Sequence, residues 1–195
     1  SKFEQIIQDG RGLVVVAGGA GSEVSSTLAS IAKLASKQPH TTVTSVEESL
    51  SYQIADCTQI ETTADLPLSD AVGTVISQSP NVLITSQLGT GPVAEQLVDF
   101  GLSQHLVISG LYANSLLAAL HHLMNYPLAP ALMAASLRLV VVQHQVEALC
   151  SRCRTSFAPS GPLKKALWEQ FGFTSEARLY RKGRGCSSCE NGNNG

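Results

Sequence analysis

Four cysteines fall in two pairs, Cys150-Ser151-Arg152-Cys153 and Cys186-Ser187-Ser188-Cys189, with residues 154–185 between them. A C-x-x-C knuckle lets two thiolates reach one ion. Two knuckles close a tetrahedron of soft sulfur ligands, the set that selects zinc over magnesium or calcium. The spacing also admits disulfides or free thiols, although a cytosolic setting disfavours disulfides. A closed four-sulfur site is structural, and zinc would stabilise a small unit by ~10–16 kcal/mol. Cys57 stands apart and reads as a lone core or surface thiol.

The second chemically suggestive stretch is Gly18-Gly19-Ala20-Gly21-Ser22-Glu23-Val24-Ser25-Ser26. A glycine-rich turn between strand and helix can wrap backbone N–H groups around a phosphate at the positive end of a helix dipole. A phosphate-binding loop closes on Gly-Lys-Ser/Thr, where the ammonium reaches the terminal phosphates and the hydroxyl holds magnesium. Here those places hold Glu23, Val24 and Ser25. A lysine beside a phosphate contributes roughly 1–4 kcal/mol, and a carboxylate at the same distance costs a similar amount. That swing moves micromolar nucleotide binding towards millimolar or worse. A plain Gly-rich turn is the alternative.

Positioning such a loop requires a strand before it and a helix after it. Leu13 to Ala17 is a continuous apolar run suited to a strand buried on both faces, and Ser25 to Ser36 carries a helical apolar stripe. Thr41–Val46, Val82–Thr85 and Leu106–Ser109 read as further strands. Helical patterns cover Ser69–Ser77, Pro92–Phe100, Ser115–Met124 and Leu128–Val142, and a short antiparallel excursion is expected from Gln53 to Ile60, turning at Ala55-Asp56. Strand and helix in alternation predict an α/β fold with a mainly parallel sheet.

The chain of 195 residues is 44% hydrophobic, 14% charged and 5% aromatic, which excludes a disordered, collagenous or coiled-coil chain. No apolar run reaches the ~18 residues of a spanning helix, and Ser1-Lys2-Phe3-Glu4-Gln5 lacks the order of a signal peptide, so a cytosolic setting is expected. The net charge of -2 is unevenly spread: residues 1–149 hold 5 of the 13 Lys+Arg and 12 of the 15 Asp+Glu, leaving the remainder basic. Composition and cysteines shift together at Cys150, which predicts domains 1–149 and 150–195. Within the second, a helix over Lys164–Phe171 would pack Leu163, Leu167, Trp168 and Phe171 inward, and the tail Glu190–Gly195 is expected to fray. The basic C-terminal region could suit nucleic acid, but aromatics are not interleaved to stack bases, so none is expected.

The order of segments resembles the C-terminal motor domain of the type II secretion and type IV pilus assembly ATPases. Gly18 to Ser25 stands where that family has its Walker A loop, Gly-Pro-Thr-Gly-Ser-Gly-Lys-Ser/Thr. Ser45-Val46-Glu47-Glu48-Ser49-Leu50-Ser51-Tyr52-Gln53 follows its acidic box, with Glu47 kept and Glu48 in place of Asp. Ser79 to Thr90 follows its Walker B segment, with Gln87 at the glutamate position. Gln104 to Asn114 follows its histidine box, keeping His105 and carrying Tyr112 for the second histidine. Ala134–Leu137 and Gln143–Cys150 track the helix before its tetracysteine subdomain.

The resemblance implies a RecA-like P-loop fold with a tetracysteine zinc subdomain, and oligomerisation with itself or related ATPase subunits. It implies protein partners in a secretion or pilus machine, and a place at the cytoplasmic face of the bacterial inner membrane through those partners. It also exposes losses. The loop lysine, the Walker B carboxylate and the second histidine are gone, and Gly89, His144, Glu147 and Ala148 stand at arginine positions. Phosphoryl transfer rests on charge stabilisation, so ATP hydrolysis is not expected and magnesium-bound ATP has lost its grip. Glu47, Gln87, His105 and Tyr112 are therefore degenerate catalytic positions, or simply polar residues near a cleft. The alternatives are a weak ATP-driven motor using Lys33 or Lys37, and a zinc-ribbon nucleic-acid binder.

Overall fold

A computed structural model describes residues 2–172 and 178–194, in two units, Ser1–Gln145 and Val146–Gly195. In the first, α1 (Lys2–Asp9) leads into β1 (Gly12–Gly18), followed by α2 (Val24–Ala35), β2 (Val43–Glu47), β3 (Thr58–Glu61) and α3 (Leu68–Ser77). Then come β4 (Val82–Thr85), α4 (Gly91–Leu102), β5 (Leu106–Tyr112), α5 (Leu116–Met124), α6 (Pro130–Ser136) and β6 (Leu137–Gln143). The six strands form one sheet in the order β3-β2-β4-β5-β1-β6, and each adjacent pair runs parallel.

The apolar run Leu13–Ala17 supplies β1, whose residues are wholly buried. Alternation sends Leu13, Val15 and Ala17 into the core on one face, and Val14 and Val16 into the core on the other. The first core joins α3, α4 and α5 through Val72, Leu97 and Leu123. The second is closed by α2 through Leu28, Ile31, Ala32 and Ala35, the stripe expected from the sequence. Each fully buried Val or Leu contributes about 1.5–3 kcal/mol, so a strand buried on two faces is the natural centre of the sheet.

Two expectations fail in this unit. The helix expected over Leu128–Val142 stops at Ser136, and Leu137–Gln143 is a strand along β1. Val140-Val141-Val142 is a β-branched run, and without β6 the backbone of β1 would have an open edge. Gln143 therefore ends a strand, residues 144–147 are irregular, and the helix expected to precede the cysteines is absent among them. Gln53–Ile60 also differs. Asp56 takes a left-handed conformation (φ 59), but Thr58–Glu61 then pairs parallel to β2 and not antiparallel.

The second unit is built from small pieces: β7 (Ala148–Leu149), β8 (Thr155–Phe157), α7 (Gly161–Phe171), β9 (Leu179–Arg181) and β10 (Asn193–Asn194). β8 pairs with β9, and β10 pairs antiparallel with β7, so most of the tail expected to fray is tied down. The expected C-terminal helix forms, but Leu163 and Trp168 stay exposed (41% and 58%), which corrects their inward packing; the side chain of Phe171 lies outside the described residues.

Candidate functional site

A parallel sheet leaves its carboxyl ends free for ligands. At those ends lies an open cleft of about 570 Å³, lined by Gly18–Ser25 after β1, Glu48, Ser51 and Tyr52 after β2, Ser86 and Gln87 after β4, and Leu111 and Tyr112 of β5. The structure thus gathers the loop, Gln87 and Tyr112 as the sequence anticipated, and adds Glu48, Tyr52 and Ser86. Ser26 falls on the first turn of α2 outside the lining, and neither Lys33 nor Lys37 reaches it.

The loop is packed from within. Ser22 is buried, and its Oγ donates to the Gly19 carbonyl at 2.6 Å. Its side chain covers Gly18 so closely that a Cβ there would collide with Ser22 Oγ and lie 2.7 Å from Val24 Cγ2. Val24 is half-buried, packed against the α2 cluster on one side and lining the cleft on the other. Gln143, at the end of β6, donates from Nε2 to the Ser22 carbonyl and accepts from Thr27 Oγ1 at 2.6 Å on Oε1. One amide side chain therefore ties the loop to the first turn of α2.

Glu23 caps that helix in the left-handed region (φ 56, ψ 42), a conformation glycine adopts freely and glutamate does not. Gly21 is also left-handed (φ 72). Two left-handed residues thus bend the loop, and the second of them carries a carboxylate where the resemblance implied glycine. Gln87 Nε2 donates to Glu48 Oε1. Ser86 Oγ is buried without a hydrogen-bond partner, and Gly110 is required beside it because a Cβ would strike the Ser86 carbonyl.

Two anticipated residues stand elsewhere. Glu47 does not line the cleft; its carboxylate accepts from Ser45 Oγ at 2.7 Å and Gln59 Nε2 at 3.4 Å, bracing the loop after β2. His105 precedes β5, whereas Tyr112 ends it, about 20 Å away by strand rise. It stacks on Phe100 with ring centroids 4.0 Å apart, and its Nδ1 bonds the Pro80 carbonyl at 2.9 Å. It is a packed structural histidine.

In the second unit Cys150, Cys153, Cys186 and Cys189 converge, with their Sγ atoms within 4.8 Å of one another. Cys150–Cys186, Cys153–Cys189 and Cys186–Cys189 are separated by 3.8, 3.6 and 3.7 Å. A disulfide needs about 2.05 Å, and the thiols are free. Four sulfurs about 2.3 Å from a common centre would be about 3.8 Å apart, so the cluster fits a tetrahedral ion. Gly183 allows the close approach, since a Cβ there would lie 2.9 Å from Cys153 Sγ. Backbone N–H groups of Cys153 and Arg152 hold the Cys150 thiol down to about 7, while desolvation pushes Cys153 up to about 12.

A family model described as Type II/IV secretion system protein matches residues 1–195. Type II secretion system protein E of Dickeya dadantii is 29% identical over 191 residues, covering 96% of this chain and 37% of that protein. Type IV pilus assembly ATPase PilB of Thermus thermophilus is 27% identical over 190 residues, covering 96% of this chain and 21% of that protein. The chain thus spans little more than a third of the first of these relatives and about a fifth of the second. Among solved structures, the pilus retraction motor PilT with bound ADP superposes with a TM-score of 0.68 at 18% identity, covering 85% of this chain and 53% of that one. The Legionella pneumophila ATPase DotB gives 0.64 at 17% identity, covering 75% and 44%. At such identities the likeness shows the fold alone: RecA-like α/β, as the motifs implied.

Proposed function

The chain belongs to the Type II/IV secretion system protein family, and we propose that it is a domain whose motor architecture serves as a scaffold or regulatory element without hydrolysing ATP. The observation that carries this reading is the cleft lining: a preserved loop with Glu23 and Glu48 as its charged side chains and no lysine or arginine. Nothing in that lining neutralises a triphosphate, and the residue at the lysine position is an uncharged, half-buried valine packed against the α2 cluster. The cleft does not fit magnesium-bound ATP. Gln87 cannot accept a proton from water as a carboxylate would, and the neighbouring Glu48 carboxylate is engaged by the Gln87 amide. Without ligand chemistry, Gln143 and Ser22 keep the loop ordered by their own hydrogen bonds.

Cys150, Cys153, Cys186 and Cys189 are the residues that would hold a structural zinc. Bound there, the metal would cross-link the two knuckles, with all four positions taken by sulfur. The domain works with protein partners of a secretion or pilus machine, related subunits among them, at the cytoplasmic face of the inner membrane. Among the described residues no helix is long and apolar enough to cross a membrane.

Calorimetric titration with Mg-ATP and a non-hydrolysable analogue tests the reading. No heat beyond dilution at micromolar concentrations is expected, and saturable micromolar binding overturns it. Replacing Glu23→Gly together with Val24→Lys is expected to restore measurable binding, because it returns glycine to a left-handed position and an ammonium to the cleft lining.

A further inference from the structure

We propose that the cleft beside the glycine loop receives a cationic side chain, an arginine in particular, from an apolar segment of a protein partner. This rests on the scaffold reading above and deepens it by naming what the emptied phosphate place selects.

The charge of the cleft is inverted relative to a phosphate site. Glu23 and Glu48 line it without a lysine or arginine, and among the described residues neither carboxylate joins an ion pair. The hydrogen-bond partner of Glu48 is the neutral Gln87 amide, which leaves the charge uncompensated. The amino terminus of α2 contributes about half a positive charge, less than the two full negative charges opposing it. A cation entering here is therefore attracted, and an anion repelled.

The remaining lining discriminates among cations. Tyr52 and Tyr112, 42% and 71% exposed, offer aromatic faces. A guanidinium can stack on such faces and bond a carboxylate through two parallel N–H groups, whereas an ammonium is a point charge. The same chain already places a guanidinium over a tyrosine elsewhere, Arg154 over Tyr180 at 4.1 Å.

The surface running on from Tyr112 indicates what bears the cation. Asn114 lies against the loop, with its Cβ 3.7 Å from a Cβ built on Gly19, and α5 begins two residues later. Leu116, Leu117, Leu120 and Met124 are exposed along one side of that helix. Residues 100–137 contain no Asp, Glu, Lys or Arg at all. An uncharged apolar ledge beside an acidic, aromatic pocket matches a segment that presents leucine-like side chains next to an arginine. Charge complementarity excludes an acidic segment from the same place.

The test is an NMR titration of the full isotope-labelled chain with acetyl-Leu-Arg-Leu-amide and its glutamine counterpart, with Mg2+ alone and Mg-ATP as separate arms. The arginine peptide is expected to shift the Gly19, Gly21 and Tyr112 amides saturably, and the glutamine peptide to bind about tenfold more weakly. The double variant Glu23→Gln with Glu48→Gln should weaken the arginine peptide by about the same factor. Tyr112→Ala, at an exposed position that leaves the carboxylates in place, should weaken it too. Equal affinity for the two peptides, no loss in either variant, or the same shifts from Mg2+ at lower concentration overturns the inference. Micromolar Mg-ATP binding instead overturns the scaffold reading, whereas failure of both peptide and nucleotide sinks this inference alone.

Discussion

Glu23 occupies a backbone position that suits glycine better than glutamate. In the left-handed region a non-glycine residue is strained by about 1–2 kcal/mol, and glycine's extra freedom in the unfolded chain offsets part of that. Glu23→Gly is therefore expected to raise stability by roughly 0.5–1 kcal/mol, read as a higher urea midpoint with unchanged slope. Gly110→Ala goes the other way. Its methyl must displace the Ser86 backbone, and a loss of about 1–3 kcal/mol in the same measurement is expected. Residue identity made the loop and the four cysteines readable from sequence, because both depend on local spacing. His105 was misjudged for the opposite reason: a histidine next to a strand looks the same whichever end of the sheet it occupies. Only the pairing of Gly12 with Leu106 places it at the end opposite the cleft.

Among the elements, β6 is the one whose nature sequence periodicity concealed. Its valines continue an apolar pattern begun in α6, and only the empty edge of β1 decides in favour of a strand. That choice has a consequence for the loop, because it delivers Gln143 to Ser22 and Thr27. Gln143→Leu keeps the strand's volume but removes both bonds, each worth about 0.5–1.5 kcal/mol. Hydrogen exchange at Ser22 to Thr27 is expected to quicken by roughly tenfold or more, while the amides of β1 keep their protection. Equal acceleration in both places would mean that Gln143 supports the whole sheet and not the loop. β1 and α2 were legible because each satisfies its own period, two faces for the strand and one stripe for the helix.

At the scale of the molecule, two units differ in what stabilises them. The first buries a continuous core on both faces of its sheet. The second has strands of two or three residues and a largely exposed α7, so its order depends on the cysteine cluster. Chelation, or Cys186→Ser, is expected to abolish the near-native spectrum of residues 150–194 while the first unit unfolds at an unchanged temperature, as domain-resolved NMR on heating would record. Metal uptake should also depend on acidity. Binding requires thiolates, so affinity falls with pH through the whole neutral range, where Cys153 and Cys186 hold their protons in the free protein, and more steeply below about 7, where Cys150 regains its own. A competition assay with a chromophoric chelator reads this, and uptake that strengthens in acid would contradict the assignment. The charge and cysteine shift suggests a boundary at residue 150, whereas the two compact units divide between Gln145 and Val146, and the tethering of the tail through β10 was invisible, since Asn193 and Asn194 have low strand propensity. The all-parallel order of the main sheet carries a further cost during synthesis. β1 lies between β5 and β6, both made some ninety residues or more after it. At ~5–20 residues per second the greasy segment Leu13–Ala17 waits several seconds outside the ribosome before either neighbour emerges. A nascent chain stalled before residue 106 should therefore be held by chaperones at that segment, and released once translation passes residue 143.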